Sequence, residues 1–416
     1  MRHTRRTVIK GMGTAGVTVG LAGCIVSDDS TGNGNGNGSD GGSSTQLWHT
    51  LAEGEADLLE TYIAQFEEET DHDIAAEEVS ELNEQLNTSL PVGEGPDIFT
   101  HAHDWVGPFE DRGWLYDVSD DLTIDIDETY TDTALEAATW QDGVYGLPYA
   151  AETVGLLYNR DLVDSPPETL DEMVEVMEDH HDPDDGQYGV AYPLADPYFA
   201  SAWIHAFGGY LYDDEADELG HELDETIEGV ELLVDSFWPY AAADPSYESQ
   251  IAVFNDGNAP FVIVGPWEVS GFRDSGIDVG IARLPTVDGG DPSPYTGVQL
   301  WYFTQELEDG EALATSREFA EWYTTTDNVI LSNADELGYI PVHADLSESD
   351  ELSDEVAAFA ENVSIGEVMP TSPKMERVWE PTRDALERIL NGEEEARPAF
   401  EQAAEEIRAA WEENDL

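Results

Sequence analysis

The sequence predicts an α/β fold in which sheets are layered against helices, and three observations carry that prediction. Short apolar runs bounded by Gly and Pro recur along the chain as strand candidates. Between them lie segments whose apolar residues repeat every three to four positions, the helical period. The two motifs richest in chemistry, HAHDWVG (101–107) and GPWEVS (265–270), each follow directly on a predicted strand. Ligands in layered α/β folds bind at such strand ends. The alternation of strand and helix also predicts mostly parallel sheets.

The elements follow in order. QLWHT, from Gln46, reads as a strand. EADLLETYIAQFEEET places Ala56, Leu59, Tyr62, Ile63 and Phe66 on one helical face. DIFTHAH reads as a strand ending in the first motif. YGLPYAAETVGLLYNRDL is apolar but interrupted by breakers, which fits a strand crossing between lobes better than a helix. APFVIVGPWEVSGF gives a buried strand at Phe261–Val264, a Gly-Pro turn and then Trp267. DVGIARLP is a further strand. REFAEWYTTT and PAFEQAAEEIRAAW are helices, the second with Phe400, Ala403, Ala404, Ile407 and Trp411 on one face. No fixed-period repeat occurs.

The N-terminus reads as an address. Arg5 and Arg6 precede an apolar run at 11–23 that is too short to span a bilayer, which needs about 20 residues. Residues 1–23 are expected to be a twin-arginine export signal. LAGC resembles a lipobox, so Cys24, the single cysteine, is the expected lipidation site. Lipid chains on that residue would hold the protein at the outer face of the cell membrane. One cysteine permits no internal disulfide. Residues 24–45 are rich in Gly, Asn and Ser and read as a flexible tether.

Charge narrows the function classes. The chain carries 15 basic and 92 acidic residues, a formal net charge of −77, and its only lysines are Lys10 and Lys374. No basic patch exists to neutralise phosphates, so nucleic acid is excluded as a partner. The acids are spread throughout and read as a solvated surface adapted to a salty medium. In molar salt the Debye length falls to about 3 Å and self-repulsion is screened. The 40% hydrophobic content is enough for a real core. Trp105, Trp267 and Trp379 sit beside polar residues, a setting that suits sugars. Rings stack on C–H faces while carboxylates accept hydroxyl hydrogen bonds.

Several blocks, in order, resemble the maltose-binding protein family of sugar importers: GEGPDIFTHAHDWVGPFEDRGWL, YNRDLVDSPPETLDEM, DPYFASAWIHAFGGY, YESQIAVFNDGNAPFVIVGPWEVS and GEVMPTSPKMERVWEPTRDAL. The resemblance implies a two-lobe periplasmic-binding-protein fold of type II-like form, with the ligand between lobes joined by crossing strands. It implies a first lobe at 46–150 and 301–342, and a second at 151–300 and 343–416. Hinge crossings are expected at 151–154, 295–300 and 343–346. Sugar contacts carry over to Asp104, Glu152, Asp196, Pro197, Tyr198, Trp267, Met369, Trp379 and Arg383. The DPY triplet stands for a contact loop, and Pro381 is expected to kink or delay the helix carrying Trp379 and Arg383. His101 and Trp105 replace a tryptophan and an arginine that flank the family's Ala-His-Asp, and Ala52 and Glu53 replace an Asp-Lys pair. These changes leave the sugar's identity open. The partners implied are a di- or oligosaccharide and ABC permease subunits with a separate ATPase, the chain itself being a monomer. No cofactor, metal or catalytic residue is expected.

Two rival readings compete with this one. A secreted carbohydrate-active enzyme needs two carboxylates about the scissile bond, but acids are too abundant here for pairs to be informative. A metal-ion binder would use His101 and His103, which on a strand point to opposite faces. His180 and His181 read as a polar loop without a partner, and DPDDG (182–186) lacks the glutamate of a calcium loop. Asn37, Asn87 and Asn362 stand in Asn-x-Ser sequons.

Overall fold

The computed structural model describes residues 44–416, apart from Asp142, Glu215, residues 308–309, Glu348, residues 350–351, Asp415 and the Glu53 side chain. The expected export signal, Cys24, Asn37 and nearly all of the tether lie outside the described residues.

Strand β1 (Thr45–His49) comes first and takes in Thr45, the last residue of the expected tether. Helix α1 (Glu53–Glu69) follows, then β2 (Ile74–Glu78) and β3 (Ile98–Ala102). Strands β4 (Gly146–Thr153) and β5 (Gly155–Asn159) are separated by Val154 alone. Helices α2 (Leu170–His180), α3 (Pro197–Ala206) and α4 (Tyr247–Asn255) lead to β6 (Phe261–Val264), β7 (Val279–Ala282) and β8 (Tyr295–Phe303). Next come α5 (Glu311–Thr325), α6 (Asp327–Leu337), α7 (Asp354–Ile365), the two-residue β9 (Glu367–Val368), α8 (Trp379–Leu390) and α9 (Ala396–Glu413).

Helix α1 forms where the apolar spacing predicts it. Leu59, Tyr62, Ile63 and Phe66 are buried, and Ala56 is half-buried. Each such apolar side chain contributes roughly 1.5–3 kcal/mol on full burial. The α9 stripe behaves alike, with Phe400, Ala403, Ala404 and Ile407 buried, while Trp411 at its end is only half-buried. Trp411 instead donates from Nε1 to the Lys374 carbonyl at 3.0 Å.

The sheets are less parallel than the alternation of elements predicts. The first has six strands in the order β9-β8-β3-β1-β2, with β4 also paired to β8. Pairs β1–β2, β1–β3 and β8–β9 are parallel, but β8 runs antiparallel to both β3 and β4. The second sheet places β5 between β6 and β7, antiparallel to each. The reason is connectivity. β4 and β5 are one continuous run that leaves the first sheet at Val154 and enters the second, strand rather than helix as the interrupted apolar stretch predicts. Neighbours that meet such a crossing strand need not share its direction. The ladder between β4 and β8 is irregular between Gln299 and Leu300, opposite Pro148. Proline has no N–H to give to the ladder, and a bulge is where sheets accommodate it.

Helix α7 packs against this crossing. A Cβ on Gly155 would stand 3.1 Å from the Phe359 ring and 3.2 Å from Asn362 Nδ2. Asn362 is fully buried. Its Oδ1 accepts from Leu284 N at 2.9 Å, and its Nδ2 donates to the Ala358 and Ala282 carbonyls. A side chain so engaged presents no surface for a glycan, unlike the exposed Asn87. Asn362→Ala is expected to destabilise the fold by about 1–3 kcal/mol, because it strands a buried N–H. Denaturant unfolding in molar salt checks this.

The histidines also depart from expectation. His103 lies past the end of β3, in a 3-10 turn, rather than alternating with His101 on the strand. His180 is the last residue of α2 and contacts the Val176 carbonyl at 2.9 Å, while His181 contacts that of Tyr240 at 3.1 Å. Among the described residues no group of three or more His, Cys, Asp or Glu side chains is arranged to hold a metal ion.

Candidate functional site

Both strand-end motifs deliver side chains to one cleft. β3 ends in the turn His103–Trp105, and β6 ends in the turn Pro266–Glu268. A cavity of 450 Å³ is bordered by His101, Ala102, Asp104, Glu152, Asp196, Tyr198, Phe199, Trp267, Met369, Trp379 and Arg383. A second, of 440 Å³, is bordered by Thr50, Leu51, Ala52, Glu55, Thr100, His101, Glu152, Trp267, Gln299 and Tyr339. His101, Glu152 and Trp267 border both, so the two cavities adjoin at those three residues as parts of one cleft. Each is in the size range of small-molecule sites.

Trp267 is held by its neighbours. Its Nε1 donates to Tyr247 Oη at 2.6 Å, and Tyr247 in turn donates to Glu268 Oε1 at 2.6 Å. The ring lies over Gly265, where a Cβ would come within 2.0 Å of it. The glycine of GPWEVS is therefore the space in which the indole lies. Glu152, on β4, faces Gly297 in the same way, since a Cβ there would stand 2.8 Å from its carboxylate oxygen.

The DPY triplet, expected to stand for a contact loop, lies at the start of a helix. Asp196 caps α3, its Oδ1 accepting from Tyr198 N at 2.9 Å, and its Oδ2 accepts from Arg383 Nη2 at 3.1 Å. Pro197 occupies the first helical position, is buried and borders neither cavity. The disruption expected of Pro381 does not arise either. Helix α8 begins at Trp379, so Pro381 falls in its first turn, where N–H groups lack intrahelical partners anyway. Trp379 and Arg383 are thus one turn apart on the same face.

Trp105 is also displaced from its expected place. It stands behind His101, the two rings stacked with centroids 3.4 Å apart, and borders neither cavity. His103 is structural. Its Nδ1 accepts from Val298 N at 3.0 Å, and its Nε2 lies 3.0 Å from the Met369 carbonyl, to which it donates. That bond pins the segment carrying Met369 to the end of β3.

The cleft is rich in acceptors. Asp104, Glu152, Asp196 and Glu55 border it, and Arg383, the only Lys or Arg among the described residues that border the two cavities, is already paired with Asp196. Burial pushes the Asp104 carboxyl up to about 7, helped by the nearby Glu152 charge. Burial likewise pushes Glu152 up to about 7, with Gln299 offsetting part of the rise and Glu55 adding to it. Burial lowers His101 to about 4, so its ring is neutral at pH 7. Asp104 Oδ1 and Tyr198 Oη are buried atoms with no hydrogen-bond partner among the described residues. Buried polar atoms left unpaired are costly, and a polar guest whose groups reached them would relieve that cost. A polyol suits the arrangement, since its hydroxyls donate to carboxylates and its C–H faces lie on Trp267 and Trp379.

Sequence reasoning missed Glu55, Gln299 and Tyr339. Glu55 accepts from Ala52 N and from the Tyr339 hydroxyl, and all three residues border the second cavity. A glutamate at the third position of a helix start is a capping signal, which could have drawn attention to it. Gln299 lies at the irregularity in β8, and Tyr339 follows the left-handed Gly338 that ends α6.

Comparison with known proteins places the chain among binding proteins. A family model described as bacterial extracellular solute-binding protein matches residues 61–360. The chain is 37% identical over 360 residues to the maltotriose-binding protein of Pyrococcus abyssi (strain GE5 / Orsay), covering 84% of this chain and 78% of that protein. It is 26% identical over 414 residues to the galactooligosaccharide-binding protein of Bacillus subtilis (strain 168), covering 94% of each. The Thermus thermophilus maltotriose binding protein, solved with maltotriose, superposes with a TM-score of 0.81 at 24% identity, covering 88% of this chain and 100% of that one. At that identity the superposition shows the fold, which is the two-lobe architecture.

Proposed function

This chain belongs to the bacterial extracellular solute-binding protein family, and on that premise we propose that it captures a di- or oligosaccharide between its lobes. It then presents the sugar to the permease of an ABC importer. One observation supports this most: nine of the eleven residues that the sequence marks as candidate sugar contacts border a single cavity, and two of them carry buried polar atoms without a hydrogen-bond partner among the described residues. Asp104, Glu152 and Tyr198 are the proposed hydroxyl partners, Trp267 and Trp379 the stacking rings, and Met369 an apolar contact. Asp196 and Arg383 close the outer end as a pair.

Capture proceeds by closure. The crossings proposed at 151–154, 295–300 and 343–346 act as the hinge, and a ligand that touches both walls binds the closed form better than the open one. ATP hydrolysis belongs to a separate subunit. Cys24 carries the lipid anchor after twin-arginine export, so the protein works at the outer face of the membrane as a tethered monomer. The relatives are named for binding, and this chain is proposed to release its sugar chemically unchanged.

The test is a panel of maltose, maltotriose and galactooligosaccharide titrated into the full chain in molar salt, with small-angle scattering of each mixture. Binding of at least one sugar with a fall in the radius of gyration is expected. No binding across the panel, or hydrolysis of the sugar, contradicts the reading.

A further inference from the structure

We propose that His101 is the specificity-determining residue at the junction of the two cavities, and that Trp105, which borders neither, positions it. The proposal rests on the cleft reading above. His101 is one of three side chains common to both cavities, beside Glu152 and Trp267. A ligand spanning the cleft has to pass it, so the tilt of its ring sets which linkage geometries fit.

That tilt is braced. The imidazole lies flat on the Trp105 indole, with planes 11° apart. Trp105 stacks in turn on Phe109 at 5.3 Å, and Phe109 meets Trp114 edge-on at 5.4 Å. Arg112 covers the end of the stack, its guanidinium 5.7 Å from the Phe109 centroid and 5.1 Å from that of Trp114. The same guanidinium reaches both carboxylate oxygens of Glu376, at 2.9 and 2.6 Å. Glu376 ends the short helix Pro373–Glu376, just before Trp379. The stack is therefore anchored to the segment that supplies the outer wall of the cleft. Rotation of the imidazole in its own plane is limited by the Ala102 carbonyl, 3.3 Å from Nδ1, and by Asp104 Oδ1 at 3.8 Å. Being neutral, the ring selects by shape and by one donor and one acceptor nitrogen rather than by charge.

Affinities for maltotriose and for a galactooligosaccharide, measured on the full chain in molar salt, test this with wild type, His101→Ala, Trp105→Ala and Trp105→Phe. Competition against the tighter sugar supplies the ratio where one binds weakly. The ratio of the two affinities is expected to shift by about fivefold in His101→Ala and Trp105→Ala, the scale of a lost aromatic stack. Trp105→Phe keeps a flat backing and is expected to retain the wild-type ratio. A merely structural Trp105 would lower both affinities together and leave the ratio intact, which overturns the proposal. An unchanged ratio in His101→Ala, at a side chain 31% exposed, overturns it even where Trp105→Ala fails to fold. A wild type that binds neither sugar overturns the cleft reading and this proposal with it. A wild type that binds, with mutants of unaltered ratio, overturns this proposal alone.

Discussion

Trp267→Ala is expected to weaken sugar binding by about 2 kcal/mol or more, roughly 30-fold, while leaving the fold standing. The ring borders both cavities and is half-buried rather than part of the core proper. Its orientation is prepared before any ligand arrives, by the Tyr247–Glu268 relay on its nitrogen and by the bare backbone of Gly265 beneath it. A ligand therefore loses a rigid stacking surface on which no ordering cost falls at binding. Calorimetric titration beside thermal unfolding separates the two effects. A variant that melts near the wild-type temperature and binds sugar within about threefold of wild type would remove Trp267 from the site.

Affinity is expected to rise with pH from about 6 to about 8 and then level off, by about tenfold for each carboxylate that must be ionised. Asp104 and Glu152 both titrate at about 7, burial being the main cause in each. Sugar hydroxyls donate to the ionised forms, so binding favours loss of the proton and is weakened where the carboxyls stay protonated. The sign for stability is the opposite. Each folded pKa lies above its unfolded value, so the folded chain holds more protons in the window between them. The contribution of these two groups is full below the unfolded pKa and is lost as pH rises through about 7. The unliganded protein thus loses stability from these carboxyls as its affinity grows. Asp104→Asn should flatten part of the affinity profile. A profile flat across this range in the wild type would show that neither carboxylate meets the ligand.

Much of this was legible in the chain itself, for identifiable reasons. Helix α1 and strand β6 are written in local periodicity, and local apolar spacing decides burial of Leu59 or Val262 almost without reference to the rest of the fold. The strands over 146–153 and 155–159, rather than a helix, were legible because breakers interrupt that apolar run. Sheet direction was not, because the antiparallel neighbours of β5 come from strands about a hundred residues away. Orientation was the other gap. The resemblance places Trp105 beside the cleft, but only the three-dimensional stack shows it turned behind His101. Pro381 looked like a disruption because its effect depends on where α8 begins, and helix boundaries are weakly encoded. Glu55, Gln299 and Tyr339 reach the cleft through a cap, a bulge and a left-handed turn, none of which stands out as a binding motif.

The central claim is that one sugar occupies the cleft formed at the ends of β3 and β6. A crystal structure of the full chain grown with maltotriose in molar salt tests it most directly. The account predicts a sugar ring packed face-on to Trp267, with a hydroxyl donating to Asp104 Oδ1 and another group paired with Tyr198 Oη. Maltotriose bound away from these three side chains, or a cleft whose Asp104 and Tyr198 atoms stay unpaired while sugar binds elsewhere, would contradict it.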